Sequence, residues 1–467
     1  MPRIPVIAIL DVGKTNKKLF LFDESYHIIW EDSAVLAETK DEDGFPCEDL
    51  NSLRAWIGEV LLRLKTVSDV EIRAINYSAY GASLVYIGDK APIAPLYNYL
   101  KPYPEKLKKQ FYDRYGGETV FSMETASPVL GSLNSGMQLY RIRNENPVLF
   151  SQIKYSLHLP QYLSWLLTGK ACSDITSIGC HTNLWNYSLN AYHEWVYREQ
   201  IIDKMSPILS CGTVHPVNFR ESEHFSAGLP HGCLSGIGLH DSSAAIIPYM
   251  ENFADSFVLI STGTWCISMN PFNSEPLTID ELQNDCLCYL SYKGQPMKAS
   301  RLFAGSEHEM QSERLAEYFQ KGKTFYQTVA YDAGIISDMK SENKKHYFDP
   351  ANLPAGVFAF GQRSLSDFKN FEEAYHRLMM DIMEQQQIST SRILSGNSVE
   401  KIFVDGGFSG NAIFMQLLAN AFPSVDVFAA SVARASALGA AMTIHERWNR
   451  LTRSTGLIEL KPYKRIE

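Results

Sequence analysis

The sequence predicts a mixed α/β protein built from two structurally related halves, and three observations carry that expectation. An apolar strand, a short turn rich in Gly, Thr and Ser, and a second apolar strand stand at the N-terminus and recur about 250 residues later. Amphipathic helical segments lie between and after the two hairpins, as in α/β domains. The chain has 467 residues, which at about 150 residues per domain allows two or three domains. The repeat selects two.

The first hairpin reads as Val6 to Leu10, a polar turn Asp11 to Asn16, and Leu19 to Asp23. Asn51 to Lys65 then places Leu53, Ile57, Val60, Leu61 and Leu64 on one helical face. Further helices are expected over Gln138 to Phe150 and over Leu159 to Leu167, the latter ended by Thr168-Gly169-Lys170. The second hairpin is Ser256 to Ile260, Ser261 to Thr264, and Trp265 to Met269. After it come a helix from Phe371 to Gln387, a strand from Lys401 to Val404 and a helix from Asn411 to Ala421. A last long helix, about Ala433 to Arg450, carries Ala435, Ala437, Gly439, Ala440 and Ala441, small residues that permit close backbone approach.

Composition excludes several classes. At 45% hydrophobic and 20% charged the chain is an ordinary globular sequence, neither disordered nor fibrous. A net charge of -9 is the wrong balance for a nucleic-acid partner. The basic clusters Lys106 to Lys109 and Lys340 to Lys345 read as solvated faces. Eight cysteines at irregular spacing predict reduced thiols, and Cys286-x-Cys288 reads as two strand residues on one face, not as a zinc site. No apolar run approaches the roughly 18 residues of a membrane span, and Ile4 to Leu10 has no cleavage site after it, so a cytoplasmic protein is expected.

Three motifs can carry chemistry. Asp11 ends a strand beside Gly13, Lys14, Thr15 and Asn16; it either holds a hydrated Mg²⁺ near phosphates or caps its own turn. Gly13-Lys14-Thr15 is not a P-loop, because position 8 is Ala8 and a strand follows. Asp405-Gly406-Gly407-Phe408-Ser409-Gly410-Asn411 joins a strand to a helix, so its glycines allow close ligand approach to a helix N-terminus; a plain tight turn is the alternative. His240-Asp241 precedes a helix of small residues, where Asp241 is either an N-cap or a base accepting a hydroxyl proton. Hydrolase patterns fail: no G-x-S-x-G occurs, His308-Glu309 does not extend to H-E-x-x-H, and His181, His193 and His231 have no nucleophile pattern beside them.

Taken together, Asp11-x-Gly13-x-Thr15, Ser261-Thr262-Gly263-Thr264-Trp265 and Asp405-Gly406-Gly407-x-Ser409-x-Asn411 resemble the two phosphate motifs and the adenosine motif of the actin-like ATPase superfamily. Within it the sequence is most similar to the FGGY carbohydrate kinases. Ser78-Ala79-Tyr80-Gly81-Ala82-Ser83 looks like that family's sugar-contacting segment, Leu157 to Trp195 like its Leu-Thr-Gly stretch, and Ala437 to Ala441 like its late Ala-rich helix.

The resemblance implies two ribonuclease-H-like domains, residues 1–245 and 246–467, each a mixed sheet flanked by helices, with an active-site cleft between them. It implies ATP bound by Gly13, Lys14, Thr15, Asn16, Thr262, Gly263, Thr264, Gly406, Gly407 and Asn411, and Mg²⁺ near Asp11, through water. Sugar would touch Tyr80, Gly81, Ala82, Asn98, His240 and Asp241, with Asp241 as general base. The Gly-Thr-Trp turn is most like the rhamnulokinase branch, so a ketose is expected, L-rhamnulose or L-fuculose first and xylulose next. Tyr97-Asn98-Tyr99-Leu100-Lys101 departs from the family's Trp-x-Asp-x-Arg segment, and Arg434 stands where relatives often carry Glu. The partners are ATP and a small sugar, with no nucleic acid and no membrane; a homodimer is compatible with this reading. An actin-like ATP-binding protein without kinase activity, or a glycerol or polyol kinase, is the alternative.

Overall fold

The computed structural model describes residues 3–218, 229–342, 357–394, 396, 398–432, 434–453 and 456–466. From residue 343 the basic stretch begun at Lys340 lies outside them. The chain divides into two compact units. The first is Met1–Asn252 with Cys288–Pro296 and Ala433–Leu457; the second is Phe253–Leu287 with Met297–Val432 and Ile458–Glu467.

In the first unit Ile4–Val12 is a central strand, antiparallel to Asn16–Asp23 and parallel to Val70–Ala79. Val6 to Leu10 are completely buried, because both faces of the sheet are covered. The sheet runs Val214–Pro216, Leu234–Gly236, Val70–Ala79, Ile4–Val12, Asn16–Asp23, Ile28–Val35, with Leu239–His240 also on Val70–Ala79. Helix Leu50–Arg63 starts where the Asp49 side chain accepts the Asn51 N–H. It lays Leu53, Ile57, Val60 and Leu61 into the core that the first strand lines with Val6, Ala8 and Leu10. Helix Leu159–Thr168 stops at Gly169, whose φ of 65° is left-handed.

The second unit repeats the arrangement. Phe257–Thr262 is antiparallel to Cys266–Asn270 and parallel to Lys401–Gly406. Its sheet runs Cys286–Leu290, Pro296–Leu302, Cys266–Asn270, Phe257–Thr262, Lys401–Gly406, Asp426–Ser431, Glu459–Tyr463. Helix Phe371–Leu394 packs on this sheet and outruns the periodic pattern that predicts it. Its Gln386 Nε2 donates to Ser268 Oγ (3.1 Å), and Thr390 Oγ1 lies 2.9 Å from the same atom. Both sheets are therefore mixed and flanked by helices, and Cys286 and Cys288 are buried strand residues. Among the described residues no helix is long and apolar enough to cross a membrane.

Two predicted helices are broken. Gln138 to Phe150 lies in two, Ser135–Glu145 and Pro147–Gln152, because Pro147 has no N–H to donate and drives Asn146 out of the helical region, to φ -137°, ψ 70°. Ala433 to Arg450 likewise divides into Ala435–Thr443 and His445–Trp448. The Thr443 hydroxyl bonds back to Gly439 O (2.7 Å), a contact that bends helices. His445 is held separately by Tyr26 Oη (2.6 Å) and by Leu451 O (3.0 Å).

The small residues of Ala435–Thr443 have a specific use. A Cβ built on Gly439 would stand 1.9 Å from Ala244 O, the backbone of the helix that begins at Asp241. Any side chain must push that helix away. Gly439→Ala is therefore expected to cost about 1–3 kcal/mol and to lower kcat disproportionately, as read from thermal melts and steady-state rates. An unchanged melt and rate would show that the two helices yield freely.

Candidate active site

In the first unit the turn between the hairpin strands is closed by Gly13 N–H to Asn16 O (2.9 Å). Gly13 thus shapes the turn with its own amide, and Thr15 and Asn16 are exposed at its tip. Lys14 pairs with Glu38 at 2.5 Å. Lys17, 1% exposed, donates to Lys14 O (2.9 Å) and pairs with buried Glu48 (2.8 Å), which also accepts from Tyr80 Oη (3.3 Å). A buried ion pair so satisfied ties the turn to Tyr80.

Asp11 is the next-to-last residue of its strand, with Oδ2 accepting from Ser436 Oγ (3.0 Å). Burial pushes its pKa up to about 6, and the Asp241 carboxylate pushes the same way against the Ser436 hydroxyl and Lys18. Asp241 is also pushed up to about 6, by burial, with the Ser242 N–H and hydroxyl opposing. About a third of the Asp241 side chain, 34%, still meets solvent, so protein surrounds this carboxylate and leaves one side open. Repulsion between two carboxylates is mutual, so ionising one holds the proton on the other.

His240 Nε2 stands 3.2 Å from Asp241 Oδ1 and 3.2 Å from Cys180 Sγ. Burial holds the imidazole down to about 4, so this is a contact of a neutral ring and not an ion pair. Its backbone N–H donates to Thr176 Oγ1 (3.0 Å), and that hydroxyl donates to the buried Asp174 (2.6 Å), which caps helix Ile175–Ile178. The sequence alternative of an N-capping Asp241 does not describe the site: His240 is the N-cap, and Asp241 is the first helical residue.

Gly81 lies against the His240 ring, with its ideal Cβ position 3.0 Å from Cδ2. Ala82 adopts φ 61°, and its carbonyl accepts from Gln138 (2.8 Å). The structure thus brings Asp11, Gly81, His240 and Asp241 together. Asn98 is engaged elsewhere: it donates to Pro46 O (3.0 Å), accepts from the Leu100 N–H (3.0 Å), and lines a cavity of about 220 Å³ with Tyr97, Lys101 and Gln138. It shapes the loop that carries Tyr99, and Tyr99 is near enough to Asp241 that burial, then that carboxylate, push its phenol up. Arg434 begins its helix at φ 57° and lies over the Phe20 ring, 3.6 Å from Glu31.

In the second unit the Gly263 N–H closes its turn on Trp265 O (2.9 Å), and exposed Thr264 accepts the Ser306 N–H (3.1 Å). Thr262 Oγ1 donates to Asp405 O (2.6 Å) and accepts from Phe408 N–H (3.0 Å), fixing this turn to the Gly406-Gly407 loop. Gly406 has φ 91°, and a Cβ there would lie 2.1 Å from Thr262 O, so only glycine fits. Asn411 is the N-cap of helix Ala412–Ala421, accepting from Ile413 and Phe414 N–H (3.0 Å each). Of these, Thr262, Gly263, Gly407, Phe408 and Asn411, but not Thr264 or Gly406, line a cavity of about 800 Å³ together with Gly305, His308 and the segment Tyr326 to Ala330. That is the size of small-molecule and cofactor sites.

Two halves with the same strand pattern, an acid at one strand end and a glycine-lined cavity in the other half define a class: the two-domain fold of actin-like kinases. Residues 6–247 match the model "FGGY family of carbohydrate kinases, N-terminal domain", and residues 254–452 match "Carbohydrate kinase FGGY, C-terminal domain". The chain belongs to the FGGY family of carbohydrate kinases. It is similar to a rhamnulokinase from Oceanobacillus iheyensis, 22% identical in an alignment of 234 residues that takes in 47% of each protein. That match spans about half the length of the curated relative. Its fold is shared with a carbohydrate kinase from Novosphingobium aromaticivorans (TM-score 0.79, 22% identity, 98% of this chain and 96% of that one). It is shared equally with the ligand-bound xylulose kinase from Lactobacillus acidophilus (TM-score 0.79, 18% identity, 99% and 94%).

Sequence reasoning missed Ser436, Tyr99, Tyr289, Gly305, His308 and the 326–330 segment. Tyr289 sits in Cys288–Pro296, part of the first unit, with its ring centroid 5.6 Å from that of His240. Position along the chain carries no signal for such residues. In the sequence His308 figures only in an incomplete H-E-x-x-H pattern, and it is the fold that brings it to a cavity.

Asp11 gives a test of this electrostatic reading. Its folded pKa lies above the ordinary 3.8, so its ionisation opposes folding. The penalty is absent below about pH 4 and develops as pH rises through about 6. In metal-free buffer Asp11→Asn is expected to raise Tm by about 2–4 °C at pH 8 and to leave it unchanged at pH 4. The opposite pH ordering would mean that Asp11 is stabilised as its anion.

Proposed function

We propose that this protein is an ATP-dependent sugar kinase that transfers the γ-phosphoryl group to the primary hydroxyl of a ketose, with Asp241 as general base. The observation that carries this is Asp241 itself: a carboxylate held near pKa 6, one side open to solvent, with a neutral His240 beside it. A base whose pKa lies near the working pH is ionised yet still basic enough to take a hydroxyl proton. Asp241 accepts the proton from the attacking hydroxyl, whose oxygen then displaces ADP from the γ-phosphorus in line. Tyr80, Gly81, Ala82 and His240 orient the sugar in this reading. In this reading the exposed turn residues Thr15, Asn16 and Thr264, with half-buried Lys14, bind the phosphates, and the cavity lined by Gly407 and Asn411 takes the nucleoside.

The residues fit a divalent cation. Asp11 and Asp241 are two repelling carboxylates in a low-dielectric site, and a positive charge relieves both. Among the described residues no three His, Cys, Asp or Glu side chains gather into a metal cage; Mg²⁺ is commonly held by one or two carboxylates with waters and phosphates. Asp11 would hold it, and the ion would neutralise phosphate charge. The similarity to a rhamnulokinase and the Gly263-Thr264-Trp265 turn favour L-rhamnulose or L-fuculose, then xylulose.

Asp241→Asn is expected to lower kcat by about a thousandfold or more while ADP and sugar still bind in calorimetry. For the native protein, kcat/KM for sugar should fall as pH drops through about 6, because protonated Asp241 cannot accept a proton. A profile flat down to pH 4.5 would remove Asp241 from that role. A panel of ketoses, aldoses and polyols, each read as kcat/KM from ADP release, identifies the substrate. No stimulation by any of them would favour an ATP-binding protein that is not a sugar kinase.

A further inference from the structure

His308 lies on helix Ala304–Tyr318 and lines the 800 Å³ cavity of the second unit, only 9% exposed. Its ring is clamped edge-on by Tyr326 (centroids 4.9 Å, 84°) and Phe408 (5.2 Å, 90°). Nε2 faces Tyr375 Oη at 2.9 Å, with Ser312 Oγ farther off at 3.4 Å. Nδ1 has no hydrogen-bond partner among the described residues.

The tautomer follows from the other end of the chain of bonds. Asn411 must present Oδ1 to the Ile413 and Phe414 N–H groups, because only the oxygen can accept them. Its Nδ2 is then the donor to Tyr375 Oη, at 2.8 Å. Tyr375 is fully buried, and besides Asn411 its oxygen has only His308 Nε2 as a hydrogen-bond partner among the described residues, so the phenol proton goes to that nitrogen. Burial holds His308 down to about 4, so at neutral pH the ring carries one proton. That proton is on Nδ1, the one nitrogen without a protein acceptor.

We propose that His308 is a nucleotide-binding residue, its Nδ1–H donating to an acceptor on the nucleoside of the bound nucleotide, with the Asn411–Tyr375 relay setting the tautomer. This rests on the reading that the cavity holds the nucleotide. Asn411 and Tyr375 then act as positioning residues: their side-chain polar groups are used within the protein, and the group they prepare is on His308. A helix cap, a phenol and an imidazole form one device, in which the fold of helix Ala412–Ala421 decides which nitrogen meets the ligand.

The test is ADP binding to the full chain by calorimetry. Native protein that fails to bind ADP would overturn the nucleotide reading of the cavity. If it binds, His308→Leu should weaken ADP by roughly tenfold without changing the KM for sugar, and Tyr375→Phe should weaken it less. Native affinity in a folded His308→Leu variant overturns the proposal. Independently, a long-range ¹H–¹⁵N spectrum of histidine-labelled native protein at pH 7 should show His308 protonated on Nδ1. The signal is assigned by its loss in His308→Leu, or in His308→Gln should the leucine variant not fold. Adding ADP should shift that Nδ1 resonance. Protonation on Nε2, or an Nδ1 signal indifferent to ADP, would also overturn the proposal.

Discussion

The approach of residue 439 to the carbonyl of Ala244 is the constraint on which the first unit's site depends. With no side chain on Gly439, helix Ala435–Thr443 seats directly on the short helix that opens with Asp241. The same helix brings Ser436 onto Asp11 and accepts a bond from Asn76, whose Nδ2 donates to Ala440 O at 2.8 Å. Two acids far apart in sequence are therefore oriented by one element that comes from near the C-terminus. A packing contact that leaves no room for a methyl group transmits position well, because a well-packed interior does not deform continuously.

Electrostatics builds on that placement. The chain is acidic overall, at -9, and its field does nothing to attract an anionic nucleotide. What compensates is local. The two turns expose their tips while Gly13 and Gly263 close them from within, and buried Lys17 is neutralised by Glu48 and not offered to a ligand. The paired carboxylates go the other way, concentrating negative charge at Asp11 and Asp241. A protein of this balance lacks the nonspecific attraction for phosphate that a basic surface supplies, so oriented N–H groups and helix ends, each with a defined direction, matter more.

How much of this was legible in the sequence depends on whether a feature is local. The hairpins were legible because short continuous apolar runs bounded by Gly and Thr are local signals, and their repetition anticipated the shared strand pattern of the two sheets. The strand-turn-helix loop at Asp405 to Asn411 was legible for the same reason. The break at Pro147 was visible in principle, since a proline forbids the preceding residue its helical conformation; the break after Thr443 was not, because it comes from a hydroxyl back-bond and from Tyr26. Nothing local marks Ser436 as a partner of Asp11, Tyr289 as a neighbour of His240, or Cys288–Pro296 as part of the first unit. Those relations are tertiary, and His240-Asp241 had meaning only through a resemblance.

The sugar is the least legible feature, for a physical reason. The groups around the His240-Asp241 pair come from separated segments: Gly81, Cys180 and Tyr289 against the His240 ring, and Tyr99 within electrostatic reach of Asp241. Distinguishing one sugar from another turns on the direction of single hydroxyls, and a buried donor or acceptor left unpaired costs about 1–3 kcal/mol, enough for a five- to hundredfold preference. That difference lies in side-chain placement of a few tenths of an ångström at residues such as Tyr99, which stands within the segment where relatives carry Trp-x-Asp-x-Arg. Replacing an ionised acid by a phenol in that segment exchanges a charged acceptor for a bulky neutral group that can also donate. Tyr99 thus sets a phenol and a flat aromatic face within electrostatic reach of Asp241, in place of a second ionised acid.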